Sequence, residues 1–110
     1  MTPEAKVKTA VKRLLVERGI YYFMPPGVGY GRAGIPDIIA CTSGRFLAIE
    51  CKAGKGKTTA LQEREMELIE AAGGFTFVAR ENNLEELCEL IELIKGKLTW
   101  MTNSKPSSTP

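Results

Sequence analysis

The sequence contains no histidine, and its three cysteines form no Cys-x-x-Cys pair. Cys41, Cys51 and Cys88 all lie within apolar runs, and an odd number of cysteines argues against a disulfide framework. Structural zinc sites are built from cysteine and histidine, so this composition also nearly excludes such a site. The fold is therefore expected to depend on neither disulfides nor zinc.

Long apolar runs are also missing. No run approaches the roughly 20 residues that a membrane-spanning helix needs. The N-terminal segment MTPEAKVKTAVKRL lacks the apolar centre of a secretory signal. We therefore expect a soluble, intracellular, cytoplasmic protein with no membrane partner.

The 110 residues, 44% of them hydrophobic, suffice for one core and one small domain. The net charge of +2 conceals an asymmetry along the chain. Residues 1–57 hold ten Lys or Arg against four acids, whereas residues 58–110 hold five against nine. The first half would attract an anion such as a phosphate backbone, although a solvated basic face would look the same.

The apolar periodicity predicts the order helix, three strands, helix, strand, helix. The helices are predicted over 3–18, over 60–72 and from residue 84, and the strands over 20–24, 36–42, 45–52 and 75–79. Strands 36–42 and 45–52 are apolar at nearly every position, so they should be central and covered on both faces. This predicts an α/β fold with a mixed central sheet flanked by helices. From Gly96 the composition turns polar, and residues 96–110 are predicted to form a disordered tail.

Three charged residues interrupt these two central strands. If Ser43-Gly44 forms a tight hairpin turn, Asp37 lies directly opposite Glu50. Two like charges so placed are destabilising unless something compensates, and side-chain alternation puts Lys52 on the same face. Facing carboxylates suit a hard divalent cation such as Mg²⁺. The alternative is a salt-bridged trio in which Lys52 neutralises both acids, although buried ion clusters seldom stabilise a fold more than apolar residues do.

The stretches GIPD and IECK, joined by a short hairpin, resemble the signature of the PD-(D/E)xK nuclease superfamily. More closely, the chain resembles a stand-alone VRR-NUC (virus-type replication-repair nuclease) domain. That resemblance covers residues 4–94 and includes an early helix glutamate, G-x-P-D, E-x-K and a Thr-x-x-Gln that opens the next helix. It implies a restriction-endonuclease-like αβββαβ core and a nuclease domain over residues 1–95. It also leaves a viral origin open.

The resemblance assigns roles to the central residues. Asp37 and Glu50 would bind Mg²⁺ or Mn²⁺, and the backbone carbonyl of Cys51 would add a ligand. Lys52 would orient or deprotonate the attacking water, or stabilise charge in the transition state.

Two further residues have a competing structural interpretation. By the resemblance, Glu4 would approach the metal from the first helix, and Gln62 would assist catalysis from the second. Yet an acid such as Glu4 is also favoured near a helix N-terminus. Likewise, Thr59-x-x-Gln62 is also a helix capping box.

Two glycine-rich loops contain the remaining candidates. GYGRAG matches G-x-G-x-x-G, but a strand containing proline follows it where a dinucleotide-binding fold needs a helix. GKGKT lacks the first glycine of a phosphate-binding loop, because Cys51 occupies that position. We therefore predict that Tyr30, Arg32, Lys55 and Lys57 flank the metal and contact DNA phosphates without reading bases, with solvated loops as the alternative.

Together these features predict a metal-dependent endonuclease that hydrolyses phosphodiester bonds in structured or branched DNA. The alternative is a non-catalytic nuclease-fold module that binds DNA. Stand-alone domains of the resembled family are compared with Holliday-junction resolvases, which work as dimers. A two-fold symmetric junction needs two cuts, so a homodimer is predicted, with the YYF segment or the apolar stripe of the third helix as its interface.

Overall fold

The structure is a computed structural model that describes residues 1–26 and 33–104, and only the backbone of residues 97–104. It contains α1 (Pro3–Glu17), β1 (Tyr21–Phe23), β2 (Ile38–Thr42), β3 (Arg45–Cys51), α2 (Ala60–Ala71), β4 (Phe75–Ala79) and α3 (Leu84–Ser104). This is the order that the apolar periodicity predicts.

The four strands form one sheet in the order β1-β2-β3-β4. β1 pairs with β2 and β2 with β3 in antiparallel fashion, whereas β3 and β4 are parallel. The parallel pair requires a crossover connection, which α2 provides. The predicted mixed α/β sheet, with β2 and β3 at its centre, is therefore confirmed.

The β2–β3 hairpin has the predicted turn. Ser43 and Gly44 have φ values of 52° and 75°, and two positive φ angles at the tip fit the type I′ turn that matches the twist of paired strands. The pairing runs from Thr42↔Arg45 to Ile38↔Ile49. One step beyond the last pair, this register brings Asp37 and Glu50 to the same end of the hairpin.

The hydrophobic core lies on one face of the sheet, between β2–β3 and the two helices α1 and α3. Its helical members are Val7, Val11 and Leu15 of α1 and Leu87 and Ile91 of α3. Burial of each such side chain contributes on the order of 2 kcal/mol. Most of the α3 stripe is thus buried inside the monomer (Leu87, Ile91 and Ile94), whereas Leu84 and Cys88 are partly exposed. Its role as a dimer interface stays a prediction.

The segment before β2 is fixed against α2 by a glycine. Gly34 has a φ of +86°, and a Cβ added there would lie 2.5 Å from the backbone carbonyl carbon and oxygen of Leu61. Only glycine allows this close approach without strain. The contact sets the position of Asp37, three residues later, relative to the first turn of α2, which contains Gln62.

The third helix differs from its prediction. α3 continues through residues 96–104, where the composition predicted a disordered tail. A single glycine such as Gly96 costs a helix roughly 1 kcal/mol but does not end it, and no proline follows before Pro106. Residues 105–110 lie outside the described residues, and the domain boundary at residue 95 stays a prediction. Within the described ranges, no helix has the length and apolar character needed to cross a bilayer.

Candidate active site

Asp37 and Glu50 lie at one end of the central hairpin. Glu50 is 2% exposed, and the side chain of Asp37 is 21% exposed. The backbone N–H of Cys51 donates a hydrogen bond to Asp37 Oδ2 at 2.9 Å, which links the segment before β2 to the end of β3. The hairpin therefore holds the two carboxylates close together, as its register predicts.

The two oxygens of Glu50 have different surroundings. Oε2 accepts a hydrogen bond from Gln62 Nε2 at 2.9 Å and lies 3.8 Å from Lys52 Nζ. Oε1 is buried and has no hydrogen-bond partner among the described residues. Burying a carboxylate oxygen without a partner is costly, so Oε1 is a feature that the fold alone does not explain.

The proton affinity of Glu50 reflects this environment. Burial raises the pKa of its carboxyl from 4.5 to about 7, and the negative charge of Asp37 adds to the rise. The Lys52 ammonium opposes the shift without cancelling it. The ion pair with Lys52 is therefore not enough to hold the pKa of Glu50 at its usual value.

Cys51 contacts the site through its backbone groups and not through its side-chain thiol. Its side chain is fully buried in the core. Burial, followed by the charges of Asp37 and Glu50, raises the pKa of this thiol to about 12. The thiol is thus neutral at physiological pH, and only the backbone groups of Cys51 adjoin the carboxylates.

Lys8 is a site residue that the sequence motifs do not identify. Its Nζ lies 3.6 Å from Asp37 Oδ1, and its side chain is 31% exposed. Each acid is thus paired with an ammonium group, Asp37 with Lys8 and Glu50 with Lys52. The sequence does contain one indication that Lys8 lies near the site: it stands one helical turn after Glu4 and next to the buried Val7.

Gln62 forms the predicted capping box and also contacts Glu50, while its role in catalysis stays a prediction. Its Oε1 accepts a hydrogen bond from the Thr59 backbone N–H at 2.9 Å, and Thr59 Oγ1 accepts one from the Gln62 backbone N–H at 3.1 Å. These two bonds complete the capping box of α2. The amide Nε2 at the same side-chain end remains available to hold Glu50.

Glu4 lies near the site without joining its carboxylates. It is half-buried in the first turn of α1, and its charge contributes to the raised pKa of the Cys51 thiol. Over residues 1–26 and 33–96, however, no three His, Cys, Asp or Glu side chains are grouped closely enough to hold one metal ion. The role of Glu4 as a metal ligand stays a prediction.

The loop between β3 and α2, which begins at Lys52, contains two exposed lysines, Lys55 and Lys57. The backbone N–H of Gly54 donates to both carboxylate oxygens of Glu81, at 2.8 and 3.1 Å. Arg80 Nη1 donates to the Gly54 carbonyl at 3.1 Å. These bonds tie the lysine loop to the connection between β4 and α3.

Tyr30 and Arg32, the other two predicted DNA contacts, lie outside the described residues. Their roles stay predictions.

The chemistry of the assembled groups fits a hard divalent cation. Carboxylates of Asp37 and Glu50, with the carbonyl of Cys51 as a further donor, form an all-oxygen set of the kind that Mg²⁺ prefers. Glu50 Oε1, buried and without a hydrogen-bond partner in the described part of the chain, supplies an oxygen with spare bonding capacity. The residues present therefore fit Mg²⁺ or Mn²⁺.

The chain is similar to known proteins in two comparisons. The model of a family described as archaeal Holliday junction resolvase (Hjc) matches residues 5–88. Among solved structures, the chain is similar to a VRR_NUC domain protein with a TM-score of 0.59, at 23% sequence identity over 86% of both chains. That likeness shows a shared fold. No curated protein matches the chain.

The contribution of Glu50 to the stability of the metal-free protein should fall as the pH rises from 4.5 to about 7. Because the pKa of Glu50 is higher in the folded than in the unfolded state, its contribution to stability is complete below pH 4.5 and is lost through pH 7. Glu50→Gln has no proton to lose, so relative to wild type it should gain up to roughly 3 kcal/mol over that range. Urea unfolding in EDTA at pH 4.5 and about pH 8 measures the change.

Glu67→Gln, which removes an exposed carboxylate from α2, is the matched control for that comparison. A difference in unfolding free energy between Glu50→Gln and wild type that is the same at both pH values would contradict the raised pKa.

Proposed function

Because the chain belongs to the archaeal Holliday junction resolvase (Hjc) family, of the PD-(D/E)xK nuclease superfamily, we propose that it is a metal-dependent endonuclease that cuts branched DNA. Family membership confirms the superfamily resemblance of the GIPD and IECK motifs. One observation of this chain's own site supports the proposal: the buried Glu50, one oxygen of which has no hydrogen-bond partner among the described residues, lies beside Asp37.

The carboxylates of Asp37 and Glu50 would hold Mg²⁺ or Mn²⁺, with the carbonyl of Cys51 as a further ligand. Such an ion supplies Lewis-acid stabilisation of the charge on the phosphodiester. The chain's own contribution is to fix the two carboxylates before substrate arrives. The Cys51 N–H holds Asp37, and Gln62 Nε2 holds Glu50, so neither side chain has to be ordered during the reaction.

Lys52 would act on the substrate. Its side chain is 13% exposed, and its ammonium is 3.8 Å from Glu50 Oε2. A positive charge in so dry an environment stabilises a developing phosphate charge more strongly than one in water. Lys52 would therefore orient the attacking water or donate to a phosphate oxygen, while Lys55, Lys57, Tyr30 and Arg32 would contact phosphates further along the strand.

The competing hypothesis is a nuclease-fold module that binds DNA without cutting it. Such a module has no use for two adjacent carboxylates, because they would repel the phosphate backbone. In this chain Asp37, Glu50 and Lys52 are all present and assembled. That arrangement favours the enzyme.

Wild-type protein should cut a labelled four-way junction with Mg²⁺ or Mn²⁺ and should cut nothing in EDTA. Asp37→Ala, Glu50→Ala and Lys52→Ala should each slow cleavage by roughly a hundredfold or more, because each removes a group that acts on the reacting phosphate. The two acid variants should bind the junction as well as wild type or better, since a repulsive charge is gone. Gel assays of cleavage and binding measure both effects.

Glu67→Ala, which removes an exposed acid of α2, is the control and should cut like wild type. Parallel assays on flaps and linear duplexes define the preferred DNA structure. Binding of the junction without any cleavage in either metal would support the binding module instead.

A homodimer follows from the substrate, since one catalytic cluster cuts one strand and a two-fold symmetric junction needs two coordinated cuts. The sheet face opposite the core offers a surface. On this face Cys41 of β2 lies between Tyr21 of β1 and Phe46 of β3, its partners in the two neighbouring strands. The side chains of Tyr21 and Phe46 are 69% and 47% exposed. Phe46 also lines an apolar groove with Leu68 of α2. We propose that this aromatic surface, with Phe23 at its margin, contacts a second copy of the chain.

Light scattering at micromolar concentration should give twice the monomer mass of 12.1 kDa. Phe46→Glu should produce a monomer, because it places a charge in the proposed interface. Leu93→Glu is the matched control, since Leu93 is a similarly exposed apolar residue, 54% exposed, on α3. A wild-type monomer throughout the concentration range would rule out a stable dimer, and dissociation by both variants would remove the aromatic surface as the interface.

A further inference from the structure

Lys8 lies in the site although no motif includes it. It belongs to α1, whereas the other charged groups of the site come from the central hairpin. Its ammonium lies 3.6 Å from Asp37 Oδ1. A structural salt bridge would account for this contact alone, but three features of the surroundings argue for more.

The first feature is how the oxygens of Asp37 are used. Oδ2 accepts the Cys51 N–H at 2.9 Å, a well-formed hydrogen bond. The 3.6 Å contact from Lys8 to Oδ1 is longer than a hydrogen bond and is a charge interaction only. Oδ1 is thus the more loosely held oxygen of Asp37, and a divalent cation bound there would compete with Lys8.

The second feature is the charge balance. Asp37 and Glu50 carry two negative charges when ionised, and Lys8 and Lys52 carry two positive charges. With both acids ionised the four groups are neutral together, so a bound divalent cation would leave the site with an excess of two positive charges. A phosphodiester strand is the anion that the proposed function brings to this place, so the displaced Lys8 would have a partner.

The third feature is the position of Lys8 on its helix. At 31% exposure its ammonium reaches both the carboxylate and solvent. A lysine is a flexible point charge that can exchange one anion for another, as phosphate-binding lysines do. Lys12 follows one turn later and is also half-buried, so positive charge continues along α1 away from the site.

We propose that Lys8 is a substrate-contacting residue. In the metal-free protein it neutralises Asp37, and once a divalent cation engages Asp37 it binds a phosphate next to the scissile bond. This inference rests on the proposed nuclease function and adds to it a residue outside the D…ExK motif.

The test compares Lys8→Met, which keeps the side-chain length but removes the charge, with Lys8→Arg, which keeps the charge. Lys6→Met is the matched control, because Lys6 is an exposed lysine of the same helix that lines a groove with Pro3 and Leu84. Calorimetric titration of Mn²⁺ without DNA measures metal binding, and single-turnover cleavage of the four-way junction at saturating Mn²⁺ measures catalysis.

Lys8→Met should bind Mn²⁺ roughly three- to tenfold more tightly, because the competing ammonium is gone. The same variant should cleave about tenfold more slowly or worse, because a charged contact to phosphate is lost. Lys8→Arg should retain most of the cleavage rate, and Lys6→Met should match wild type in both assays. A residue with a merely structural role would weaken both properties together, so the opposite directions identify the proposed role.

Two outcomes overturn the inference while the proposed function stands: unchanged Mn²⁺ affinity in Lys8→Met, or wild-type cleavage by that variant at saturating Mn²⁺. If wild type binds Mn²⁺ but cuts no substrate, junction binding in Mn²⁺ replaces cleavage as the readout. In a plot of the logarithm of the binding constant against the logarithm of the salt concentration, Lys8→Met should then make the slope shallower by about 0.9. An unchanged slope overturns the inference. Wild-type protein that binds no Mn²⁺ would overturn both the inference and the proposed function.

Discussion

Burial of Glu50 beside a second carboxylate, Asp37, is the constraint on which the rest of this site depends. The hairpin register brings Asp37 and Glu50 together, and burial of Glu50, followed by the negative charge of Asp37, raises the pKa of Glu50 to about 7. Four protein groups offset part of the cost of this placement: the Cys51 N–H, Lys8, Gln62 and Lys52. Glu50 Oε1 nevertheless stays without a partner among the described residues. A divalent cation would bind this oxygen and offset the negative charge of the two acids. The arrangement that destabilises the metal-free protein is therefore the one that would bind the metal.

The surrounding fold holds these groups through contacts between elements distant in sequence. Gly34 lets the segment before Asp37 lie directly on the first turn of α2, and the capping box of that turn orients Gln62 towards Glu50. On the other side of the site, Glu81 and Arg80 hold Gly54, which anchors the loop of Lys55 and Lys57. Helix capping and loop anchoring thus stabilise the fold and also hold groups of the site, since Gln62 both caps α2 and contacts Glu50.

The sequence predicts those parts of the site that follow from local rules. A two-residue turn and the alternation of side chains along a strand fix the register that joins Asp37, Glu50 and Lys52. Lys8 could not be found this way, because its contact depends on how α1 is rotated and placed over the sheet. Similarly, the polar composition after Gly96 did not reveal the continuation of α3, since a helix needs no apolar face to persist beyond the core. The predicted contribution of Glu4 also depends on helix placement, and the structure leaves it near the two acids without grouping it with them.

The central claim is that Asp37 and Glu50 form one binding site for a divalent cation, and a calorimetric titration of Mn²⁺ into wild type, Asp37→Asn and Glu50→Gln tests it most directly. The account predicts that wild type binds Mn²⁺ and that each amide variant, which keeps the shape of the side chain but lacks its charge, loses most of that affinity. Glu4→Gln in the same series shows whether the acid of α1 belongs to the site. Undiminished Mn²⁺ binding by both Asp37→Asn and Glu50→Gln would contradict the account.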